Sequence, residues 1–271
     1  KVTKNLIVAN NRELGHFTSI NEAVIYSEHF TKLFPNSGTP TIHIREGEYK
    51  ITEAIEIYHD LILKGSGPNT IITRDPSYPP GGTTARSISD PLFKIGYFST
   101  DDLIVSGVEL RDFTYKGLED LSAGVGGSVI MLKHNLLNSS GGNVEAHFAI
   151  RNIKFIGASD YVVDNSSSNI NDWDNDSTPN ETPIHIGNSQ DGLYSNIIIS
   201  GCQFEGIGYG EGVVYLNADN DFENINVFGN ISIGAIHSDH GLVCYRNVDS
   251  ASLGKTLTGF QETSNVIKYE S

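Results

Sequence analysis

The sequence has little of what stabilises small disulfide-rich domains or crosses a membrane. Its two cysteines, Cys202 and Cys244, cannot form a disulfide framework, and no apolar run approaches the roughly 20 residues of a membrane span. Cations are also scarce, since 18 lysines and arginines stand against 33 aspartates and glutamates, a net charge of −15. This excess of acid argues against nucleic-acid binding through counterion release, and the missing apolar run argues against membrane insertion.

Methionine, tryptophan and proline are rare as well, with one, one and nine residues among 271, whereas glycine occurs 28 times. This composition favours many tight turns and little helix. A hydrophobic content of 38%, with 12 phenylalanines and 12 tyrosines, is sufficient for a folded core. The chain begins at Lys1 rather than at methionine, and we expect it to be a piece of a longer product.

One helix is predicted, near the N-terminus. Ser19 and Glu22 form an S-x-x-E capping box, and the apolar residues that follow lie on one helical face as far as Phe34. Pro35 and Gly38 end the helix. Beyond them the apolar residues alternate with a period of two in short runs such as TIHI, IEI and LILKG, which predicts strands.

Five pairs of strands repeat along the rest of the chain. The pairs are LFKIG with VELRDFTYKG, VIMLK with FAIRNIKFIG, PIHIG with IIISGCQFEG, VVYLN with INVFGNISIG, and LVCYR with TLTGFQETS. When they are stacked, the inward positions are Ile95, Leu132, Ile186, Leu216 and Cys244, and the corner positions are Asp112, Asn152, Gly201, Asn230 and Gly259. Short strands separated by loops of any length are typical of a parallel β-helix, in which each coil buries its inward side chains against the next.

The stretch from Phe17 to Asp75 resembles a known family. It contains the helix FTSINEAVIYSEHF, a G-x-Y step from Gly47 to Tyr49, and a G-x-G-x-x-T-x-I coil that begins at Gly65. This order is similar to the opening of pectate-lyase-like right-handed β-helix proteins, in which the helix plugs the end of the solenoid. The family includes secreted polysaccharide lyases and hydrolases as well as bacteriophage tailspikes.

The repeat and the resemblance together predict an all-β fold, a single right-handed parallel β-helix with an N-terminal capping α-helix. Residues 1–38 would form an N-terminal segment that holds the helix, and residues 39–271 would form the β-helix. The cap has a physical role, because an open solenoid end exposes strand edges and apolar side chains.

The outward face beside the inward positions is the first candidate site. Stacking aligns Lys94, Met131, His185, Tyr215 and Val243 in one row and Gly96, Lys133, Gly187, Asn217 and Tyr245 in the next. Lys133, His185 and Tyr215 are candidate catalytic bases for β-elimination, which removes a proton beside a uronate carboxylate. Asn217 and Tyr245 are candidate sugar-binding residues, because sugars present both C–H faces and hydroxyls. The alternative is an exposed sheet face with ordinary polar side chains.

An acidic segment is the second candidate site. Asp172, Asp174 and Asp176 alternate in a D-x-D-x-D pattern that can supply oxygen ligands to a calcium ion, the one cofactor that the sequence suggests. Trp173 lies among them and could stack on a sugar ring or pack at a subunit contact. The alternative is a solvated acidic loop without a metal.

A pair of carboxylates is the third candidate site. Asp219 and Asp221 belong to a D-x-D-x-E run, and glycoside hydrolysis requires two carboxyl groups roughly 5 to 9.5 Å apart. The family's catalytic signatures are nevertheless incomplete, since HSDHG at 237–241 lacks the aspartates and the R-x-K that accompany such a motif in polygalacturonases. Arg111 and Arg151 precede turn residues on adjacent coils, and we expect them to pair with surface acids.

We therefore expect a carbohydrate-recognising rod of the bacteriophage tailspike type that binds a host surface polysaccharide. It would be homotrimeric and located in a virion tail or outside the cell. The main alternative is a secreted polysaccharide lyase or glycoside hydrolase, which the scarcity of cations weakens because an acidic glycan requires a positive patch. The other alternative is a structural virion spacer without a ligand.

Overall fold

A computed structural model describes the architecture of the chain. It describes residues 4–75, 91–96, 105, 107–117, 129–132, 147–157, 183–187, 193–205, 213–217, 220–233, 242–246 and 257–268. The described strands form three sheets, in which every pair of neighbouring strands is parallel. Neighbours within each sheet come from successive coils, so the chain winds as a parallel β-helix and the predicted fold class is confirmed.

The chain passes from sheet A to sheet B to sheet C in each complete coil. Sheet A contains β1 (Asn5–Val8), β2 (Thr41–Ile44), β5 (Leu61–Gly65), β8 (Gly107–Arg111), β11 (His147–Arg151), β14 (Leu193–Ser200), β17 (Asp221–Phe228), β20 (Leu257–Thr258) and β21 (Gln261–Thr263). Sheet B contains β3 (Gly47–Ile51), β6 (Thr70–Arg74), β9 (Thr114–Lys116), β12 (Lys154–Ile156), β15 (Gln203–Glu205), β18 (Ile231–Ile233) and β22 (Val266–Lys268). Sheet C contains β4 (Ile55–Ile57), β7 (Phe93–Ile95), β10 (Ile130–Leu132), β13 (Ile184–Ile186), β16 (Val214–Asn217) and β19 (Val243–Arg246).

The N-terminal helix α1 (Ile20–Leu33) forms as the sequence predicts. The Ser19 side chain accepts a hydrogen bond from the Glu22 backbone N–H at 3.4 Å, which satisfies one of the free amides of the first turn. The apolar face of α1 is buried against β1, β2 and β4. A short 3-10 turn at Pro35–Ser37 follows the helix. Within the described part of the chain, no helix has the length and hydropathy of a membrane span.

Strand β1 precedes the helix and pairs with β2, so sheet A begins before the capping helix. The pairing joins Asn5 to Thr41 and Val8 to Ile44. The segment before residue 39 thus contributes a strand as well as the cap. The division of the chain at residues 38 and 39 stays a prediction.

The corners between sheet A and sheet B are tight, with two residues between the strands of each later coil. The first of the two has a positive φ at Asp112 (59°), Asn152 (52°), Gly201 (65°), Gly229 (65°) and Ser264 (57°). The predictions at Asp112, Asn152 and Gly201 are confirmed. Asn230 also lies in its predicted corner, as the second of the two residues, after the left-handed Gly229. The prediction at Gly259 is wrong, because Gly259 lies at a bend between two strands of sheet A, where it aligns with Asn224.

The core consists of inward side chains stacked from coil to coil. In sheet C, Ile95, Leu132, Ile186 and Leu216 follow one another in register, as predicted. In sheet B, the rings of Phe155 and Phe204 stack with centroids 5.0 Å apart and planes 6° apart. Such contacts between successive coils are what a solenoid has in place of a single central core.

Candidate functional site

The outward row of sheet C brings His185 and Tyr215 together. The strand register places Met131 beside His185 and His185 beside Tyr215, and the His185 and Tyr215 ring centroids are 4.9 Å apart. All three side chains are buried, with exposed fractions of 0%, 2% and 1%. The predicted adjacency is confirmed, but the predicted exposure is wrong for these residues, so neither ring presents a free face to a sugar.

The last coil of sheet C is paired one residue away from the prediction. Tyr215 pairs with Cys244 and Leu216 pairs with Tyr245, so Tyr245 continues the inward row in place of Cys244. The Tyr245 ring meets the buried Phe222 ring edge-on, with centroids 6.0 Å apart. Burial raises the pKa of Tyr245, with a smaller contribution from the negative charge of Asp221. A slip of one residue moves a side chain to the opposite face of a strand, which removes Tyr245 from the predicted sugar-binding row.

Of the remaining candidate site residues, Asn217 and Asp221 lie within the described part of the chain. Asn217 ends β16, where its backbone pairs with Arg246. Asp221 begins β17 in sheet A, beside Leu193. Outside the described residues lie Lys133, Asp219, Trp173, Asp172, Asp174 and Asp176. The catalytic roles of Lys133 and Asp219, the sugar-binding role of Trp173 and the calcium-binding role of the three aspartates therefore stay predictions. Within the described ranges, no cluster of three acidic, histidine or cysteine side chains is placed to hold a metal.

Sheet A carries a second outward row, which we name the sheet A row. The register aligns one outward residue from each of seven successive coils: His43, Lys64, Arg111, Arg151, Ser200, Phe228 and Thr263. All but Ser200 are at least partly exposed, and 41% of Phe228 is accessible. Sheet A therefore presents an accessible line of side chains along the axis of the solenoid, in contrast to the buried centre of sheet C.

The first half of the sheet A row is held by ion pairs. Glu109 lies beside both arginines, with its Oε1 atom 3.3 Å from Nε of Arg111 and 3.7 Å from Nε of Arg151. Asp112 is 3.6 Å from Nη1 of Arg111 and accepts a hydrogen bond from the Asn152 amide at 3.1 Å. The prediction that these arginines pair with surface acids is confirmed.

The second half of the sheet A row is aromatic and amide-rich. Phe228 pairs with Thr263, and beside them Asn226 pairs with Gln261. Asn224 is exposed at the nearby bend and donates its amide to the Asn196 side chain at 3.5 Å. These side chains together offer an apolar ring face and several amide groups on one side of the solenoid.

Sequence reasoning found Arg111 and Arg151 but not the rest of the sheet A row. A signal was present in the residues that follow the three cations. Lys64 directly precedes Gly65 at the end of a strand, and Arg111 and Arg151 directly precede the corner residues Asp112 and Asn152. Aligning the corners rather than the inward residues of sheet C would have placed the three cations in one row. Phe228 directly precedes the corner residue Gly229, so the same alignment would have placed it in the row as well.

Comparison with known proteins gives only distant similarities. No protein-family model matches the chain, and no curated protein matches it. A "putative glycosyl hydrolase" from Parabacteroides merdae ATCC 43184 has a similar structure, with 8% identity, a TM-score of 0.41, and coverage of 98% of this chain and 96% of that one. ORF18 of Geobacillus virus E2 matches with 13% identity, a TM-score of 0.32, and coverage of 87% and 54%. Similarity at this level indicates neither an activity nor a substrate, and the parallel β-helix rests on the strand pairing of this chain itself.

Proposed function

We propose that the protein is a carbohydrate-recognising β-helical rod that binds a host surface polysaccharide along its outer face. The observation that carries this proposal is the sheet A row, in which exposed Phe228 continues a line of polar and charged side chains over successive coils. An aromatic ring packs against the apolar C–H face of a sugar, and neighbouring amides bind its hydroxyls. A straight row of such groups matches a linear polymer better than a compact ligand.

Binding is better supported than catalysis. The candidate bases His185 and Tyr215 are buried, and a base must lie within hydrogen-bond reach of the proton that it removes. In sheet A, the partly exposed acid Glu109 contacts two guanidinium groups instead of a second carboxylate. The first arrangement therefore offers no accessible base for elimination, and the second offers no pair of carboxyl groups for hydrolysis.

The experiment is a binding screen against bacterial surface and plant polysaccharides, with the wild-type chain and Phe228→Ala. We expect Phe228→Ala to weaken binding roughly tenfold through the loss of ring stacking. Val266→Ala is the matched control, because Val266 is similarly exposed (44%) but lies on sheet B. Absence of binding to every polysaccharide, or equal loss in both variants, would contradict the proposal.

The same incubations test the enzymatic alternative. New absorbance in the unsaturated-uronate band would indicate a lyase, and new reducing ends alone would indicate a hydrolase. We expect neither signal.

The assembly and location form part of the proposal. The resemblance of residues 17–75 to pectate-lyase-like β-helix proteins, a family that includes bacteriophage tailspikes, supports a homotrimer in a virion tail or another extracellular structure. Light scattering of the purified chain should give three times the 29.5 kDa chain mass. A monomer at all concentrations would contradict the trimer and leave the glycan-binding row to be judged by the binding screen.

A further inference from the structure

The first four positions of the sheet A row are basic. His43, Lys64, Arg111 and Arg151 occupy equivalent positions in consecutive strands β2, β5, β8 and β11. Parallel neighbours lie about 4.8 Å apart, so the four side chains span roughly 14 Å along the solenoid axis. Their side chains share one face, because residues in register on neighbouring strands point in the same direction.

The charge of this face is opposite to that of the whole chain. In the four strands β2, β5, β8 and β11 together there are three lysines and arginines and one acid, Glu109. The whole chain, by contrast, has 18 lysines and arginines and 33 aspartates and glutamates. Within the described residues, Lys64 forms no ion pair. The pKa of His43 is lowered by burial and further by the positive charges of Lys64 and Arg111, in agreement with a positive local potential.

The contact pattern leaves donors available. Glu109 contacts both arginines at Nε, and Asp112 is the second acid near Arg111. The side chains of Arg111 and Arg151 are 33% and 37% exposed, and Arg151 has no other ion pair among the described residues. Glu109 therefore lies close to both guanidinium groups, and its contact with Arg151 is at Nε rather than at the Nη atoms. Planar guanidinium groups held in this way bind carboxylates through paired hydrogen bonds.

We infer that Lys64, Arg111 and Arg151 form a binding site for successive carboxylates of an acidic polysaccharide that lies along sheet A. The inference rests on the proposed function and adds the substrate class and the position of the charged subsite. The net charge of −15 repels every polyanion, and it repels most strongly the dense phosphate backbone of a duplex nucleic acid, which favours a polysaccharide as the ligand. The same row also leads to the exposed ring of Phe228, which suits a sugar polymer.

The test uses matched acidic and neutral polymers with the full chain. The probes are alginate, hyaluronate and polygalacturonate, the carboxyl-reduced form of each, and a single-stranded DNA of similar length. Affinities are measured at low and at high salt for the wild type, Lys64→Gln, Arg151→Gln and the double variant. Lys154→Gln is the control, because it removes one positive charge from sheet B, where Lys154 pairs with Glu205 at 2.8 Å.

We expect the wild type to bind at least one acidic polymer and to bind its carboxyl-reduced form roughly tenfold or more weakly. Each of Lys64→Gln and Arg151→Gln should reduce affinity for the acidic polymer roughly tenfold, and the double variant should reduce the salt dependence. Lys154→Gln should retain wild-type affinity. All three side chains are partly exposed, so the variants should fold, and circular dichroism verifies this.

The outcomes separate this inference from the proposed function. If the acidic polysaccharides and their carboxyl-reduced forms bind equally well, and only Phe228→Ala loses affinity, the acidic subsite is overturned and glycan recognition stays in place. If Lys154→Gln loses as much affinity as Lys64→Gln and Arg151→Gln, the effect is one of general charge, and the subsite is also overturned. Tighter binding of DNA than of every acidic polymer would overturn the choice of ligand. If no polymer binds, both the inference and the proposed function are wrong.

Discussion

The Ser27 hydroxyl lies 2.7 Å from Nε2 of His59 beneath helix α1, and both side chains are buried. Ser27 donates its single proton to the Val24 carbonyl at 2.8 Å, so His59 is the donor in the Ser27–His59 bond. Among the described residues, Nδ1 of His59 has no hydrogen-bond partner. A second proton on this ring would place an unsatisfied charge under the capping helix.

The cap should therefore weaken in acid. Burial lowers the pKa of His59 to about 4, against the opposing attraction of Glu28 and Asp60. The unfolded chain binds this proton near pH 6.5, so the contribution to stability is fully present above pH 6.5 and is lost as the pH falls to about 4. The loss should reach about 3 kcal/mol, measured by denaturant unfolding at several pH values.

His59→Gln should flatten this part of the pH profile, because it removes the titrating ring. His29→Gln is the control, since His29 is an exposed residue of helix α1, and it should leave the acid-induced loss of stability in place. Identical pH profiles for wild type and His59→Gln would contradict the prediction.

Asn230 should be a major source of stability at the last corners. It is fully buried, its Oδ1 accepts from the Cys202 N–H at 2.9 Å, and its Nδ2 donates to the Ile199 carbonyl at 3.1 Å. Asn230→Ala removes both of these bonds and a third, from Nδ2 to Oδ1 of Asn265 at 3.1 Å, and should reduce the free energy of unfolding by about 3 kcal/mol. Asn226→Ala, at a partly exposed position, should cost less than about 0.5 kcal/mol. A similar cost in the two variants would show that the buried amide has no special role.

Gly65 should tolerate no side chain. A Cβ atom there would collide with the Asp112 carbonyl oxygen and lie 2.8 Å from Cβ of Phe113, so the backbone of the next coil would have to move. Gly65→Ala should therefore destabilise the fold by about 2 to 3 kcal/mol in thermal or denaturant unfolding. At Gly107, also in sheet A, the nearest atom to an added Cβ is the His147 carbonyl oxygen at 3.9 Å. Gly107→Ala should be neutral or slightly stabilising, and an equal loss in both variants would refute the steric explanation.

The calcium prediction for Asp172, Asp174 and Asp176 can be tested directly. Terbium is a useful substitute, because Trp173 lies within the motif and can sensitise its luminescence. We expect calcium to displace terbium and a chelator to lower the melting temperature by a few degrees, since a bound ion stabilises the folded state. The Asp→Asn triple variant should abolish both effects. A melting temperature that is unchanged by chelator and by calcium would rule out the site.

Much of the core could be predicted because its signals are local. Alternation in LFKIG, VIMLK, PIHIG and VVYLN identifies inward residues whichever coil they contact, and their stacking was confirmed. The error at Tyr245 has a specific cause. LVCYR is apolar at consecutive positions, so alternation does not determine which residue faces inward, and the pairing of Leu216 with Tyr245 settles the register.

The candidate sites were harder to predict because they depend on contacts between coils. Nothing in PIHIG or VVYLN reveals that His185 and Tyr215 are buried, since exposure depends on what covers the sheet from outside. Long connections of different lengths separate the strands, so residues 43, 64, 111 and 151 have no regular spacing that would predict one basic row.

The sequence by itself determined helix α1, through the Ser19 cap and the apolar stripe, and the coiled arrangement of short strands, through period-two alternation between turn residues. Both depend on interactions within a few residues of the chain. Only the tertiary structure decided the register of the last coil, the burial of His185 and Tyr215, and the alignment of Lys64 with Arg111 and Arg151. These features arise from hydrogen bonding between coils separated by tens of residues, where sequence distance carries no information about which side chains become neighbours.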